Sequence, residues 1–177
     1  MAGLAVAATG GAVVSAGAFT SEVSAGADMR VVVVSDLRLE PARDDEGREE
    51  NEYVIDDGEI AIVVDKLNKR AFTEFGDLVQ IRNEGNVGYD KLTFEFLPSD
   101  DTDADVTEAM KIVYEGELTE KNDDDTFTIR PENGLQPGGD PVPFGVAVDL
   151  LPDDSERSDF PDSAAEFELE IAAERLE

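Results

Sequence analysis

Tyr89-Asp90-Lys91-Leu92-Thr93-Phe94-Glu95-Phe96-Leu97 decides the fold class. Leu92, Phe94 and Phe96 fall on one side of an extended chain, with Lys91, Thr93 and Glu95 on the other. A period of two is what a strand with one buried face requires, because successive side chains point to opposite sides. Pro98 follows and ends the run.

The same pattern recurs outward in both directions. Toward the C-terminus, Pro143 to Leu151 alternates Phe144, Val146, Val148 and Leu150, and Ala165 to Ala173 alternates Phe167, Leu169 and Ile171 with Glu166, Glu168 and Glu170. Phe127-Thr128-Ile129 reads as a short strand after the acidic turn Asn122 to Asp125. Toward the N-terminus, Ala71 to Phe75 leads through Gly76-Asp77 into Leu78 to Arg82, and Asn83-Glu84-Gly85-Asn86 makes a turn. Tyr53 to Ile55 and Glu59 to Asp65 flank Asp56-Asp57-Gly58, and Asp-Gly between apolar runs signals a hairpin. Met29 to Val34 contains an unbroken Val31–Val34 run, which suggests a strand buried on both faces. Val106 to Tyr114 carries some helical spacing, although Lys111 to Tyr114 equally opens a strand. Pro41 to Glu52, Ser99 to Asp105, Pro131 to Pro143 and Asp153 to Ser163 read as loops.

About eight or nine strands with polar turns and at most one short helix make an all-β, jelly-roll-like β-sandwich. No helical crossovers support a parallel sheet.

Composition bounds the chemistry. The chain has 43 acidic against 14 basic residues, a formal net charge of −29, and neither His nor Cys. Nucleic acid offers such a surface no counterions to release, and anionic lipid repels it equally. Self-repulsion at this density is screened only when molar salt shortens the Debye length to about 3 Å, so the chain reads as adapted to high salt. Without His or Cys there is no Ser-His-Asp triad, no thiolate nucleophile and no thiolate metal site. Paired carboxylates would serve a glycosidase, but with 43 acids some pair always meets that spacing, and Trp is absent. The reading is therefore not an enzyme.

Asp100 to Asp105 places oxygens at alternating positions as calcium loops do, making Asp101, Asp103 and Asp105 candidate ligands for Ca2+. Val106 stands where an EF-hand needs Gly, and Ile112 where it needs its bidentate Glu, so the motif is not an EF-hand. A solvated acidic loop is the competing reading.

Met1 to Ser21 carries no charged side chain, is rich in Ala, Gly and Val, and contains Ala16-Gly17-Ala18. This is the form of a secretory h-region with a small-x-small cleavage site, so residues 1–18 read as a signal peptide and the mature chain as secreted to the cell surface or beyond. Val-Ser-Ala-Gly-Ala occurs at Val14–Ala18 and again at Val23–Ala27, giving an alternative end at 27. No later segment is apolar enough to span a bilayer, so the mature chain has no membrane span. Residues 19–28 then form an N-terminal segment, and 29–177 a single domain.

The stretch Leu67 to Gly85, with Phe75-Gly76-Asp77 and Asn83-Glu84-Gly85, resembles the "Phe-x-Asp, strand, Asn-x-Gly" pattern of secreted haloarchaeal β-sandwich proteins. It is also similar to TasA and camelysin-type proteins and the archaeal bundling pili related to them. Leu135-Gln136-Pro137-Gly138-Gly139 fits their later "Leu-x-Pro-Gly" element, and Gly17 to Ser21 after the Ala/Gly-rich leader fits their start. The resemblance implies a jelly-roll subunit whose partners are copies of itself, polymerising outside the cell by donor-strand complementation. It makes Phe19, Thr20, Val23 and Ala25 candidate residues of a polymerisation strand within Phe19 to Ala27. No peptidase activity is carried over, since the residues supply no peptidase site. The alternative is a monomeric secreted module that binds a cation or another protein.

Overall fold

The computed structural model describes residues 13–15, 24–34, 37–43, 53–56, 59–68, 71–99, 104–151 and 165–175. Among the described residues, twelve strands form two six-stranded sheets. They are β1 (Val13–Ser15), β2 (Ser24–Val34), β3 (Leu37–Pro41), β4 (Val54–Asp56), β5 (Ile60–Asn68), β6 (Phe72–Asn83), β7 (Tyr89–Pro98), β8 (Met110–Tyr114), β9 (Glu117–Leu118), β10 (Phe127–Ile129), β11 (Val142–Asp149) and β12 (Ala165–Arg175). One sheet runs β1-β6-β11-β8-β9, with β3 also on β6; the other runs β10-β7-β12-β2-β5-β4. The jelly-roll-like all-β sandwich expected from the alternation is what the chain forms.

The alternating residues build the core. Leu92, Phe94 and Phe96 of β7, Phe144, Val146 and Val148 of β11, and Phe167, Leu169 and Ile171 of β12 are all buried. Phe94 and Phe144 meet across the two sheets with ring centroids 5.0 Å apart and planes tilted by 60°. Phe96 stands edge-on to Phe127 at 5.9 Å. Such tilted aromatic pairs contribute about 0.5–1.5 kcal/mol beyond the area they bury. β4 and β5 pair antiparallel as read, with Val54 opposite Ile62 and Asp56 opposite Ile60, while Asp57 and Gly58 lie outside the described residues. Val106 to Tyr114 divides between both expectations: Ala104–Ala109 is a 3-10 helix and Met110 onward is β8.

Several features differ from the sequence reading. The strand placed at Met29 starts at Ser24, so residues 24–28 belong to the sandwich and not to a segment before it. Small and polar residues concealed them, although Ala27 is buried. The Val31–Val34 run is not buried on both faces. Val31 is buried, Val32 and Val33 are half-buried, and Arg30 is exposed. Leu37–Pro41, unassigned or read as the start of a loop, is an edge strand, where Pro41 at the end costs no ladder bond on the open side. Glu117–Leu118 turns back on β8 through Glu115 and Gly116, both with positive φ (54° and 75°), in a hairpin too short to show alternation.

The largest departure is a parallel pair. β2 and β12, the first and last strands of their sheet in sequence, lie side by side with Met29 opposite Phe167 and Val33 opposite Ile171. No local crossover helix is needed, because the whole intervening domain is the connection. Among the described residues no helix is long and apolar enough to cross a membrane.

Candidate functional site

Among the described strands, β6 has an outer edge shared by two others, β1 and β3. β11 pairs along its inner edge, with Val142 opposite Ile81, Phe144 opposite Val79, Val146 opposite Phe75 and Asp149 opposite Phe72. The register breaks between Phe144 and Val146. Only Gly145 stands there against Gly76, Asp77 and Leu78, so β6 bulges outward, with Asp77 at φ 46°. A Cβ on Gly145 would lie 1.9 Å from the Phe75 carbonyl oxygen, so this position requires glycine.

The bulge divides the outer edge into two halves. Val79 to Asn83 is covered by β3, from Pro41 to Leu37. Phe72 to Glu74 is covered by β1, with Val13 opposite Glu74, Val14 opposite Thr73 and Ser15 opposite Phe72. The direction of the backbone groups follows from two bonds. Leu150 N–H donates to the Ala71 carbonyl at 3.1 Å, so residues 71, 73 and 75 face β11 while Phe72 and Glu74 face outward. Ala42 N–H donates to the Leu78 carbonyl at 3.0 Å, so Leu78, Gln80 and Arg82 face β3.

Side chains lock the β3 half. The Gln80 amide donates to the Glu40 carboxylate at 3.1 Å. Glu40 also lies 3.4 Å from Arg38 Nε and 3.7 Å from Arg82 Nε. Arg38 Nη1 donates to Glu84 at 3.1 Å, a bond that raises the guanidinium pKa further and holds it charged. Beyond the strand, Asn83 is buried and fully satisfied. Its Nδ2 donates to the Val87 carbonyl at 2.8 Å and the Leu135 carbonyl at 2.9 Å, and its Oδ1 accepts from Gly85 N–H at 2.9 Å. Leu135 and Tyr89 exchange backbone bonds of 2.7 and 3.1 Å. Asn83-Glu84-Gly85 and Leu135-Gln136-Pro137-Gly138, far apart in sequence, are thus one structural joint.

A groove of about 610 Å³ lies where β2, β3 and the β4–β5 hairpin meet, lined by Arg30, Leu37, Arg38, Asp56, Glu59 and Glu84. Its two cations are already paired, Arg30 with Glu59 at 2.8 Å and Arg38 with Glu84.

The residues singled out by sequence do not converge. Asp101 and Asp103 lie outside the described residues, and Asp105 falls on the 3-10 helix. Among the described residues no group of three or more Asp and Glu is placed to hold a metal ion. Phe19, Thr20 and Val23 lie outside the described residues, while Ala25 sits inside β2 opposite Leu67 of β5. What sequence reasoning missed is that part of the stretch read as a signal peptide, Val13–Ser15, is strand. The signal was the repeated Val-Ser-Ala-Gly-Ala: Val14 and Ser15 of the first copy lie in β1, and Ser24 to Ala27 of the second open β2.

No family model matches this chain, and neither does any curated protein or solved structure.

Proposed function

We propose that this protein is an exported structural subunit that assembles with copies of itself into an extracellular filament, pilus or matrix fibre by strand addition. The observation that carries the reading is the outer edge of β6. The domain covers half of it with β3, and the other half accepts a strand from the N-terminal segment, outside the body of the sandwich. An edge that takes one extended segment by backbone bonding is competent to take another, since β-addition draws its affinity from the main chain.

Two further features support the reading. The outer face around β12 sets Glu170 opposite Glu95 and Glu166 opposite Asp28. Like charges directly across a ladder are destabilising, and concentrated salt removes the penalty, which suits an assembly working in a saline exterior. The fold also bears on the cleavage site. A cut after Ala27 would remove Ser24 and Ala25, which pair with Asn68 and Leu67, whereas a cut after Ala18 leaves β2 whole.

The test is to express the full chain in an exporting host and purify the secreted protein in molar salt. Its N-terminus is sequenced, and sedimentation is followed against concentration alongside electron microscopy. Filaments whose subunits begin at Phe19 are expected. A monomer at every concentration and salt level would reject the assembly reading.

A further inference from the structure

The edge that assembly needs is already occupied in the uncleaved chain. Val13–Ser15 belongs to the segment that export is expected to remove, and it lies antiparallel on Phe72–Glu74. We propose that the leader is a placeholder strand: it closes the acceptor edge of β6 until it is cut away, and Phe19–Val23 of a second copy then takes its place. This inference rests on the assembly reading above and names the acceptor edge and its regulation.

Removing β1 leaves outward-facing backbone groups at Phe72 and Glu74 with no strand partner among the described residues. Edge groups of this kind are a template for another chain. β3 cannot extend to cover them, because its ladder ends at Pro41 opposite Val79 and the Gly76-Asp77 bulge turns β6 away beyond that point. The opening is therefore short and has fixed ends.

The liberated segment fits it. A cut after Ala18 leaves Phe19–Val23 ahead of β2, which begins at Ser24. Extended, these residues reach about 17 Å, the length of a common strand. With Ser21 opposite Glu74 they run the whole way from Phe72 to Gly76, beyond the three residues that β1 covers. Phe19, Ser21 and Val23 then share one side, and Thr20 and Glu22 the other.

The same segment cannot refill its own edge to that extent. Ser24 is held in the other sheet, opposite Asn68. β1 lies in one sheet and β2 in the other. After the cut only Phe19–Val23 remains, and crossing a sandwich whose sheets stand about 10 Å apart uses most of it. A second copy has no such restraint, so cutting one bond both opens the acceptor and frees the donor.

The chain has no Cys, so introduced pairs report pairing directly. Val13→Cys with Glu74→Cys, in the full chain retained with its leader, is expected to close a disulfide within one copy and stay monomeric. Ser21→Cys with Glu74→Cys, in the secreted protein, is expected to give a ladder of disulfide-linked multimers on a non-reducing gel. Glu74→Pro in the secreted protein removes an outward N–H without touching the β11 ladder, and is expected to abolish filaments with the melting temperature little changed. The inference is overturned if parent filaments form but the Ser21/Glu74 pair links only within one copy, or not at all. A folded Glu74→Pro protein that still assembles overturns it too; in both cases the acceptor lies elsewhere and the assembly reading stands. Should Glu74→Pro not fold, the cysteine pairs decide alone. If the unmodified secreted protein forms no filaments, the assembly reading itself fails, and this inference with it.

Discussion

The two halves of β6 belong to one strand, lie on one neighbour, β11, and are held in opposite ways. From Val79 to Asn83 the outer edge is closed by β3, by the Gln80–Glu40 bond, by two Arg ion pairs and by the Asn83 joint. From Phe72 to Glu74 the only described cover is the three-residue strand β1. The difference teaches that covering an edge and stabilising a domain are separable. The closed half is tied to the fold by side chains, whereas the other is held through a short backbone ladder.

The largest test of the comparison acts on the boundary between the halves. Gly145→Ala sets a Cβ against the Phe75 carbonyl and the Gly76 Cα, and backbone on both sides cannot move aside as a side chain would. Urea unfolding at fixed high salt is expected to show a loss of about 3 kcal/mol or more. Unchanged stability would mean that the bulge is not what separates the halves.

Matched prolines come next. Gln80→Pro deletes a ladder donor to β3 and the bond to Glu40, and is expected to cost about 3 kcal/mol by the same measurement. Glu74→Pro in a chain begun at Phe19 is expected to cost under about 0.5 kcal/mol, as at an edge that the domain leaves unpaired. Equal effects would erase the distinction between the halves. Asn83→Ala follows, at about 2–3 kcal/mol, because the Val87 and Leu135 carbonyls and the Gly85 N–H lose their partner. Amide exchange at Tyr89 and Leu135 should accelerate with it, while Phe72 and Glu74 stay as they were.

The smallest effect lies on the other sheet. Glu170→Gln relieves the repulsion with Glu95 and is expected to stabilise by a few tenths of a kcal/mol in dilute buffer and by nothing in molar salt. A gain that persists at molar salt would point away from charge as its origin.

How far the molecule can be read from its sequence follows the same division. β7, β11 and β12 were legible because alternation with large apolar residues is a local property, and the β4–β5 pairing because Asp-Gly between two apolar runs is a short-range signal. β3 was not, since Leu37–Pro41 pairs with residues about forty positions away and carries only two large apolar side chains. The bulge hid the continuity of β6, because three residues, Gly76 to Leu78, stand against Gly145 alone and interrupt the apolar pattern. The parallel β2–β12 pair has no local signature at all. Of the candidate site, the proposed polymerisation segment pointed to the N-terminal region, but Ala25 belongs to β2 and the β1–β6 pairing is long-range.

The parallel arrangement of β2 and β12 has a mechanical meaning. Each strand has 11 residues and spans about 33 Å, and both point the same way, so Ser24 enters the sandwich at one pole while Arg175 leaves at the other. Tension applied between these two points runs along the strands. It loads the bonds of the β2–β12 ladder together in shear, rather than peeling them apart one at a time. A subunit pulled from pole to pole thus meets the load with its central ladder acting as a single fastening.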